Sequence, residues 1–351
     1  MSAALSARPG VAEIVRNFAP GWFAAVMGTG VVSLSTLTLS ARWPLLGGLA
    51  WSFHYFNLLC FCVLAVPWLA RWIKYRELAL APLQHPVQAS FYPTIAIAMM
   101  VIAAQFLAFD GQVELALLFW WPGVALTFVF SFAVLYAMFS GEHVNLEHVT
   151  PANFIPAVGL VVIPIAGGPL LGHMQGSTRD LALLVNVVGL GAGSLMYLGL
   201  LALTLQRKYL AKPAVGILAP TVWIHLGPLG VIPVSLLNLA DHLPFAVPGG
   251  TVLLAGLLLW GFGVWWVVMA ALLTAAAQRR GMLPFALSWW SFTFPLGSFV
   301  SASFRLARES GLAGVEMLGI GCWVLLLALW LITAWRTARG IGSGALFRPH
   351  P

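Results

Sequence analysis

Long stretches with almost no charged side chain are the feature of this sequence that most limits its fold. Four of them run from Trp43 to Ala70, from Leu115 to Phe139, from Asp180 to Leu205 and from Thr251 to Ala277. Each can cross a bilayer, because a helix through the hydrocarbon needs about 20 apolar residues. Of the 351 residues, 61% are hydrophobic and 8% are charged, whereas soluble domains average about a quarter charged. The sequence therefore predicts an all-α integral membrane protein.

Five prolines recur where a short turn gives way to an apolar stretch. They are Pro20, Pro86, Pro151, Pro213 and Pro284, and the gaps between them are 66, 65, 62 and 71 residues. Each gap has room for two membrane crossings and their loops. We interpret the repeat unit as a helical hairpin used five times. If all hairpins begin on one side, their first helices are parallel and can surround a central path, which is typical of a channel or transporter.

Ten membrane spans follow from this pattern, numbered in chain order. Their approximate bounds are 18 to 39, 46 to 70, 88 to 109, 115 to 139, 152 to 172, 180 to 206, 214 to 238, 249 to 278, 284 to 306 and 314 to 336. The chain then divides into a cytoplasmic N-terminal tail, 1–17, a ten-helix transmembrane pore domain, 18–336, and a cytoplasmic C-terminal tail, 337–351.

The basic residues indicate the orientation. With the N-terminus inside, the segments on that side hold 13 Lys and Arg residues, and those on the other side hold four: Arg42, Arg179, Arg305 and Arg308. This asymmetry predicts that both termini are cytoplasmic, and we expect a multi-pass protein of the plasma membrane. The basic residues are dispersed over separate turns, which argues against nucleic-acid binding.

The odd-numbered spans are interrupted by proline or glycine, whereas the even-numbered spans look smoother. The interrupting residues are Gly28, Gly30, Pro93, Pro156, Pro164, Pro220, Pro228, Pro233 and Pro295. Proline inside a helix frees backbone groups that lipid cannot satisfy, so such helices belong in the protein interior or beside water. We therefore expect an inner ring of five kinked helices within an outer ring of five.

The polar groups in the odd spans are weak ones. No Asp, Glu, Lys or Arg lies in the middle of a span, which argues against a proton-coupled or strongly cation-binding transporter. Hydroxyls and freed backbone amides can donate hydrogen bonds to an anion. The candidates that could line the path are Thr29, Thr94, Asn153, Thr221, His225, Ser291 and Thr293.

Charged mouths and metal sites give less decisive signals. Arg305 and Arg308 could concentrate anions at the outer mouth, or Glu309 and Glu316 could offset them, and both alternatives stay open.

Glu142, His143, Glu147 and His148 gather in one turn, which we interpret as solvated, so neither a metal nor another cofactor is expected. The spacing of Cys60, Cys62 and Cys322 favours neither a disulfide nor a zinc site. Gly189, Gly191 and Gly193 indicate close helix packing.

Five strings in order carry a resemblance to a known family. They are NFAPGWFAAVMGTG at 17 to 30, HPVQASFYPT at 85 to 94, TPANFIPAVGLVVIPIAGG at 150 to 168, LAPTVWIHLGPLG at 218 to 230 and WWSFTFPLG at 289 to 297. Together they resemble the tellurite-resistance/dicarboxylate transporter family, whose plant branch contains the slow guard-cell anion channels. The resemblance covers essentially the whole chain.

The resemblance implies ten helices as five pseudo-repeated hairpins around a pore, and a homotrimer. It also implies that a phenylalanine in span 9 plugs the pore, and the matching residue is Phe294, followed by Pro295. Ser291 and Thr293 depart from the family pattern, so pore width does not carry over.

The sequence thus predicts anion transport across the lipid bilayer through a pore occluded by Phe294. The expected substrates are C4-dicarboxylates such as malate, and the alternative is small inorganic anions: sulfite, chloride, nitrate or tellurite species. A membrane-bound enzyme is a remote alternative, because no nucleophile has a recognisable base and orienting partner.

Overall fold

The computed structural model of the chain describes residues 9–85, 87–141, 148–210 and 216–348. Within these ranges the long helices follow one another in the predicted order. We label them α1 Ala24–Ser40, α2 Leu46–Lys74, α3 Thr94–Phe109, α4 Val113–Ser140, α5 Ile155–Leu170, α6 Gly176–Leu210, α7 Leu226–Ala240, α8 Gly249–Arg279, α9 Phe294–Ser310 and α10 Ala313–Gly342. Two short helices, Val11–Arg16 and Arg76–Leu80, lie outside this series.

Each odd-numbered helix begins with a tighter 3₁₀ segment. The five segments are Pro20–Phe23, Ala89–Phe91, Pro151–Phe154, Gly216–His225 and Leu287–Phe292. Proline suits such a start, because it lacks the N–H that a first turn leaves unpaired. Of the five recurring prolines, Pro20 and Pro151 open their segments, and Pro284 precedes Leu287. Pro86 and Pro213 lie outside the described residues.

The helices pack as hairpins around a closed ring. Each odd-numbered helix contacts the even-numbered helix that follows it. The odd helices also contact one another in the cyclic order α1, α3, α5, α7, α9 and back to α1. Five hairpins therefore surround one axis, although their equivalence as sequence repeats stays a prediction.

Burial separates the inner helices from the outer ones. For four inner spans, the buried share is taken over an apolar stretch of 18 residues. It is 72% in Pro20–Ser40, 72% in Ala89–Phe109, 89% in Pro151–His173 and 78% in Gly216–Ala240. The corresponding shares for α2, α4, α6, α8 and α10 are 17%, 39%, 33%, 22% and 22%. The contrast matches an inner ring within an outer layer that faces lipid.

Nine helices of the described residues are long and apolar enough to cross a membrane, which confirms an all-α membrane protein. The helix outside that count is α9, which is 17 residues long and carries Arg305, Arg308 and Glu309 near its end. The predicted number of ten spans therefore stays a prediction.

Several details differ from the sequence expectation. The even helices are not free of proline, since Pro67 lies inside α2 and Pro122 inside α4. Helix α10 continues to Gly342, beyond the boundary placed at residue 336. The terminal segments also meet, because the Asn17 side chain donates a 2.9 Å hydrogen bond to the Phe347 carbonyl.

Candidate functional site

Three cavities follow one another along the ring. The amino-end cavity, about 1010 Å³, lies beside the 3₁₀ segments and the chain termini. The central cavity, about 30 Å³, lies where the 3₁₀ segments become α-helices. The carboxyl-end cavity, about 390 Å³, lies between the later turns of the odd helices. All five odd elements line first the central cavity and then, with later residues, the carboxyl-end cavity. They therefore run parallel, as the proline pattern predicts.

Pairs of residues three apart line the central cavity, one pair from each inner element. The pairs are Ala24 and Met27, Phe91 and Thr94, Ile155 and Val158, Ile224 and Gly227, and Ser291 and Phe294, with Trp290 and Pro295 completing the wall. Residues three apart lie on one face of a helix, so each element turns an equivalent face to the axis. None of these lining residues is charged, and a space of this volume holds about two water molecules.

Phe294 separates the central cavity from the carboxyl-end cavity. Its side chain borders both, and the residue is 5% exposed. It is the first residue of α9, separated from the 3₁₀ segment Leu287–Phe292 by Thr293, and Pro295 follows it in the first turn. The Ser298 hydroxyl donates a 2.9 Å hydrogen bond to the Phe294 carbonyl. The ring therefore stands at the junction of two helix types, beside the axis of the path.

Phe91 has the corresponding position toward the other end, and sequence reasoning missed it. It borders both the central and the amino-end cavity. Phe91 lies inside the quoted string HPVQASFYPT, and it precedes Thr94 by three residues, as Ser291 precedes Phe294. Its place in that string is the signal that could have identified it, because spacing alone does not separate it from the other phenylalanines. The two phenylalanines thus enclose the central cavity.

The carboxyl-end cavity is mainly apolar, with a few polar groups. Thr38, Asn238, Ser298, Ser301 and Arg305 are its polar lining residues. The Asn238 amide donates a 3.1 Å hydrogen bond to the Ile165 carbonyl, which fixes it against α5.

The predicted mouth arginines share one carboxylate. Arg305 Nε lies 2.9 Å from Glu309 Oε1, and Arg308 lies 3.5 Å from the same oxygen. The other predicted acid, Glu316, pairs with Arg42 at 2.9 Å. The Arg308 side chain is 70% exposed and is not among the lining residues. Arg305 is therefore the arginine at this cavity, and Glu309 partly offsets its charge.

Arginines also line the amino-end cavity. Arg16, Arg71 and Arg348 contribute to its wall, together with Glu13. Arg71 donates hydrogen bonds to the carbonyls of Phe18 and Leu78, the latter at 2.7 Å. These bonds tie α2 to the turn before α1, while the remaining arginines leave this mouth basic.

The structure brings part of the predicted set together and places the rest in the surrounding packing. Thr94, Ser291, Phe294, Pro295 and Arg305 line cavities. Gly28 and Gly30 provide close helix contacts instead. A methyl group at Gly28 would collide with Thr293 Oγ1, and one at Gly30 would collide with Val101.

The other predicted polar residues satisfy local hydrogen bonds. Thr29 accepts a 3.0 Å hydrogen bond from the Trp330 indole and faces α10. The Thr221 and Thr293 hydroxyls bond to the carbonyls three residues before them, at 2.7 Å and 2.8 Å. Asn153 accepts a 2.6 Å hydrogen bond from the Thr150 N–H. All four side chains lie behind the wall of the path.

His225 and the remaining prolines also lie away from the lining residues. The His225 ring packs between Phe154 and Trp266, with ring centroids 4.5 Å and 4.0 Å away, in edge and tilted contacts. Pro93 precedes the first residue of α3, Pro156 and Pro228 lie in the first turns of α5 and α7, and Pro164 lies inside α5. These prolines shape the inner helices around the central cavity.

The structure adds nothing to the acidic and histidine turn. Glu142, His143 and Glu147 lie outside the described residues. Among the residues that are described, no three His, Cys, Asp or Glu side chains form a group that could hold a metal ion.

Comparison with known proteins decides the family. A sequence model for the family described as the voltage-dependent anion channel, SLAC1, matches residues 17–338. The chain belongs to this family. The resemblance seen in the five strings is thereby confirmed.

Relatives of this SLAC1-family chain match over nearly its whole length. An uncharacterized transporter of Methanocaldococcus jannaschii is 40% identical, over 96% of this chain and 97% of the relative. A sulfite efflux pump of Arthroderma benhamiae is 26% identical, over 95% and 93% of the two chains. A malic acid transport protein of Schizosaccharomyces pombe is 21% identical, over 94% and 80%. The family and these names indicate an anion transporter or channel and not an enzyme.

Proposed function

We propose that anions cross the membrane through the three cavities in series, and that the Phe294 ring occludes the path in the conformation described above. One observation carries the proposal: Phe294 borders the central and the carboxyl-end cavity at the same time. An aromatic ring in a narrow apolar passage excludes ions by occlusion and dewetting. Rotation of the ring would join the two cavities.

The proposed role of the polar lining is weak binding. Thr94 and Ser291 supply hydroxyls at the central cavity, which has no charged residue among those described as lining it. Hydroxyl groups can replace part of the hydration of an anion without holding it tightly. Fast passage needs such sites, because an ion that binds strongly does not leave.

C4-dicarboxylates such as malate are the first proposed substrates. The carboxyl-end cavity, about 390 Å³, falls in the range of about 300–1,000 Å³ that small-molecule sites occupy. Arg305 offers this cavity one cationic group for a carboxylate. The malic acid transport protein of Schizosaccharomyces pombe supports this proposal by its name.

Small inorganic anions, sulfite among them, are the second candidate, and a specific observation favours them. The central cavity holds about 30 Å³, which suits a compact ion better than a four-carbon chain. The sulfite efflux pump is also more similar to this chain, at 26% identity, than the malic acid transport protein, at 21%.

We further propose a homotrimer in the plasma membrane with both termini in the cytoplasm. The family resemblance supports the trimer, and the asymmetry of the basic residues supports the orientation.

The Phe294→Ala variant tests the proposed gate. Removing the ring takes no hydrogen bond or charge from the path, so the fold should survive while the barrier falls. We expect anion flux through proteoliposomes to rise at least about tenfold, which corresponds to about 1.4 kcal/mol in the barrier. Fluxes of malate, sulfite, chloride and nitrate measured side by side would show which substrate class benefits most.

Phe292 provides the matched control. It lies two residues away, is 1% exposed, and packs against Trp223 and Trp289 at 5.8 Å and 5.4 Å between ring centroids. Phe292→Ala should lower the melting temperature without raising flux, and the milder pair Phe292→Leu and Phe294→Leu serves if Phe292→Ala does not fold. Wild-type flux in folded Phe294→Ala protein would contradict the gate, as would equal opening by the Phe292 variants.

A further inference from the structure

A buried histidine on α2 has no hydrogen-bond partner among the residues that the structure describes. His54 is 0% exposed, and neither Nδ1 nor Nε2 has a partner in the structure. Buried polar atoms normally have a partner, and an exception calls for an explanation such as an ion or a functional role. An ionisable side chain inside a membrane span is also rare unless it serves a purpose.

Burial opposes a positive charge on the His54 ring, but aromatic rings and a carboxylate around it favour that charge. Phe109 stacks on it with centroids 4.6 Å apart, and Trp51 and Phe106 present edge contacts at 5.8 Å and 5.9 Å. Asp110 Oδ2 lies 3.9 Å from His54 Nε2. Aromatic faces and a carboxylate both stabilise a cation.

A buried amide network closes the deep side of this site. Asn57 lies one turn further along α2 and donates a 2.8 Å hydrogen bond to Gln105, which donates a 2.5 Å hydrogen bond to Ser33. The Asn57 Oδ1 has no partner. His54 therefore has fixed polar groups on its inner side, while Asp110, 28% exposed, connects it to the surface.

Helix α3 joins the histidine to the proposed anion path. It turns Ala104, Leu107 and Ala108 to the carboxyl-end cavity and Phe106 and Phe109 to His54. One helix, about 10 Å across, thus separates the imidazole from the cavity. At an effective dielectric constant of about 20, a unit charge at that distance changes ion occupancy by roughly tenfold, and salt reduces the effect.

Asp110 is the charged group that faces His54 across this site. On the neighbouring elements, Glu114 of α4 is exposed, and Arg42 before α2 is paired with Glu316 of α10. Within the described residues, these groups leave Asp110 as the partner of the ring.

We propose that His54 and Asp110 form a proton-binding site that sets how readily anions occupy the carboxyl-end cavity. With His54 neutral, the pair carries the negative charge of Asp110 and repels anions. When His54 binds a proton, the pair becomes neutral and the repulsion ends. Anion flux therefore rises as the pH on the carboxyl-end side falls far enough for His54 to bind a proton. This proposal rests on the proposed anion path.

Flux in proteoliposomes at external pH 5.5, 6.5 and 7.5 tests the site, with insertion in one orientation. We expect the wild type to gain roughly tenfold in flux over this range, and His54→Gln to keep the low flux of the alkaline protein at every pH. Asp110→Asn should show high flux already at pH 7.5, because no negative charge remains when His54 is neutral. An unchanged pH profile in both variants would overturn the proposal.

His173→Gln is the matched control, because His173 is exposed at the same end of the ring. This variant should leave the dependence of flux on pH unchanged.

A second measurement separates this site from the path itself. Titration of imidazole nuclear magnetic resonance signals should show one signal that is absent in His54→Gln and shifts in Asp110→Asn. If that signal titrates but Phe294→Ala leaves flux unchanged, the proposed anion path is contradicted, whereas proton binding by His54 is supported. If no such signal titrates over the pH range in which the protein stays folded, the proton site fails whatever the flux.

Discussion

At the scale of single residues, glycine decides how closely α6 approaches α5. A Cβ added at Gly189 would lie 2.8 Å from the Leu160 carbonyl oxygen, and one at Gly193 would lie 2.7 Å from the Ala157 carbonyl oxygen. At Gly191, between them, nothing lies within 4 Å. The sequence interpretation of close packing is thus confirmed for two of the three glycines, and the third faces away from α5.

The pair Gly193→Ala and Gly191→Ala turns this difference into a prediction. Gly193→Ala should destabilise the protein by about 1–3 kcal/mol, because neither the α5 backbone nor its side chains can move far enough. Gly191→Ala should be neutral or slightly stabilising, because alanine favours helix more than glycine does. Melting temperatures of the detergent-solubilised variants measure both. Equal losses of stability in the two variants would show that contact with α5 is not the reason why alanine is unfavourable at position 193.

At the scale of elements, hydrogen bonds tie neighbouring 3₁₀ segments together around the ring. Thr94 donates a 2.8 Å hydrogen bond to the Pro20 carbonyl, which joins α3 to the start of α1. Asn153 donates a 3.1 Å hydrogen bond to Ser90, which joins the starts of α5 and α3. The Ser288 hydroxyl bonds to the Ile217 carbonyl and joins the starts of α9 and α7. These side-chain hydrogen bonds thus bridge three of the five junctions between neighbouring inner elements, and we call this set of links the collar.

Asn153→Ala removes one link of this collar. It deletes both the 2.6 Å hydrogen bond from Thr150 N–H and the bond to Ser90. Loss of a cap of this kind costs about 0.5–2 kcal/mol, so we expect a lower melting temperature with unchanged preference among anions. Gln112→Ala is the control, because Gln112 precedes α4 without a side-chain capping bond. A changed anion preference in Asn153→Ala would instead favour a direct role in the path.

The sequence predicted the elements better than it predicted the site. Proline and glycine indicated where the inner helices break, because those residues act through the local backbone. Which side chains meet at the central cavity depends on the rotation of five helices about their axes, and no local pattern states that. Asn153 and Thr29 therefore looked like lining residues, and Phe91 was one apolar ring among 22 phenylalanines. Phe294 was identified through the family resemblance and not through its composition or spacing.

At the scale of the whole molecule, the chain closes on itself. The contact of α9 with α1 completes the ring, and Trp22 stacks on Phe347 with centroids 5.5 Å apart. The amino-end cavity includes residues from both terminal segments, among them Arg16 and Arg348. Both ends of the described chain therefore lie at the same mouth.

Single cysteines test on which side that mouth lies. With Cys60, Cys62 and Cys322 replaced, Gln112→Cys and Asp241→Cys should react with an impermeant thiol reagent added outside cells, and Arg280→Cys should not. The asymmetry of the basic residues is the reason for this expectation. Reaction at Arg280→Cys alone would reverse the orientation, and reaction at all three positions would contradict the span assignment.

The parallel arrangement of the inner helices also gives the molecule an electrical direction. Every peptide unit of an α-helix has a dipole, and an aligned helix carries roughly half a positive charge at its amino end. Helices α1, α3, α5, α7 and α9 all begin beside the central cavity and lead away from it in one direction. The even helices return the opposite way at a greater distance from the axis. On the proposed path, an anion between Phe91 and Phe294 lies at the positive pole of five dipoles. The field along that path is then not symmetric, and inward and outward currents need not be equal.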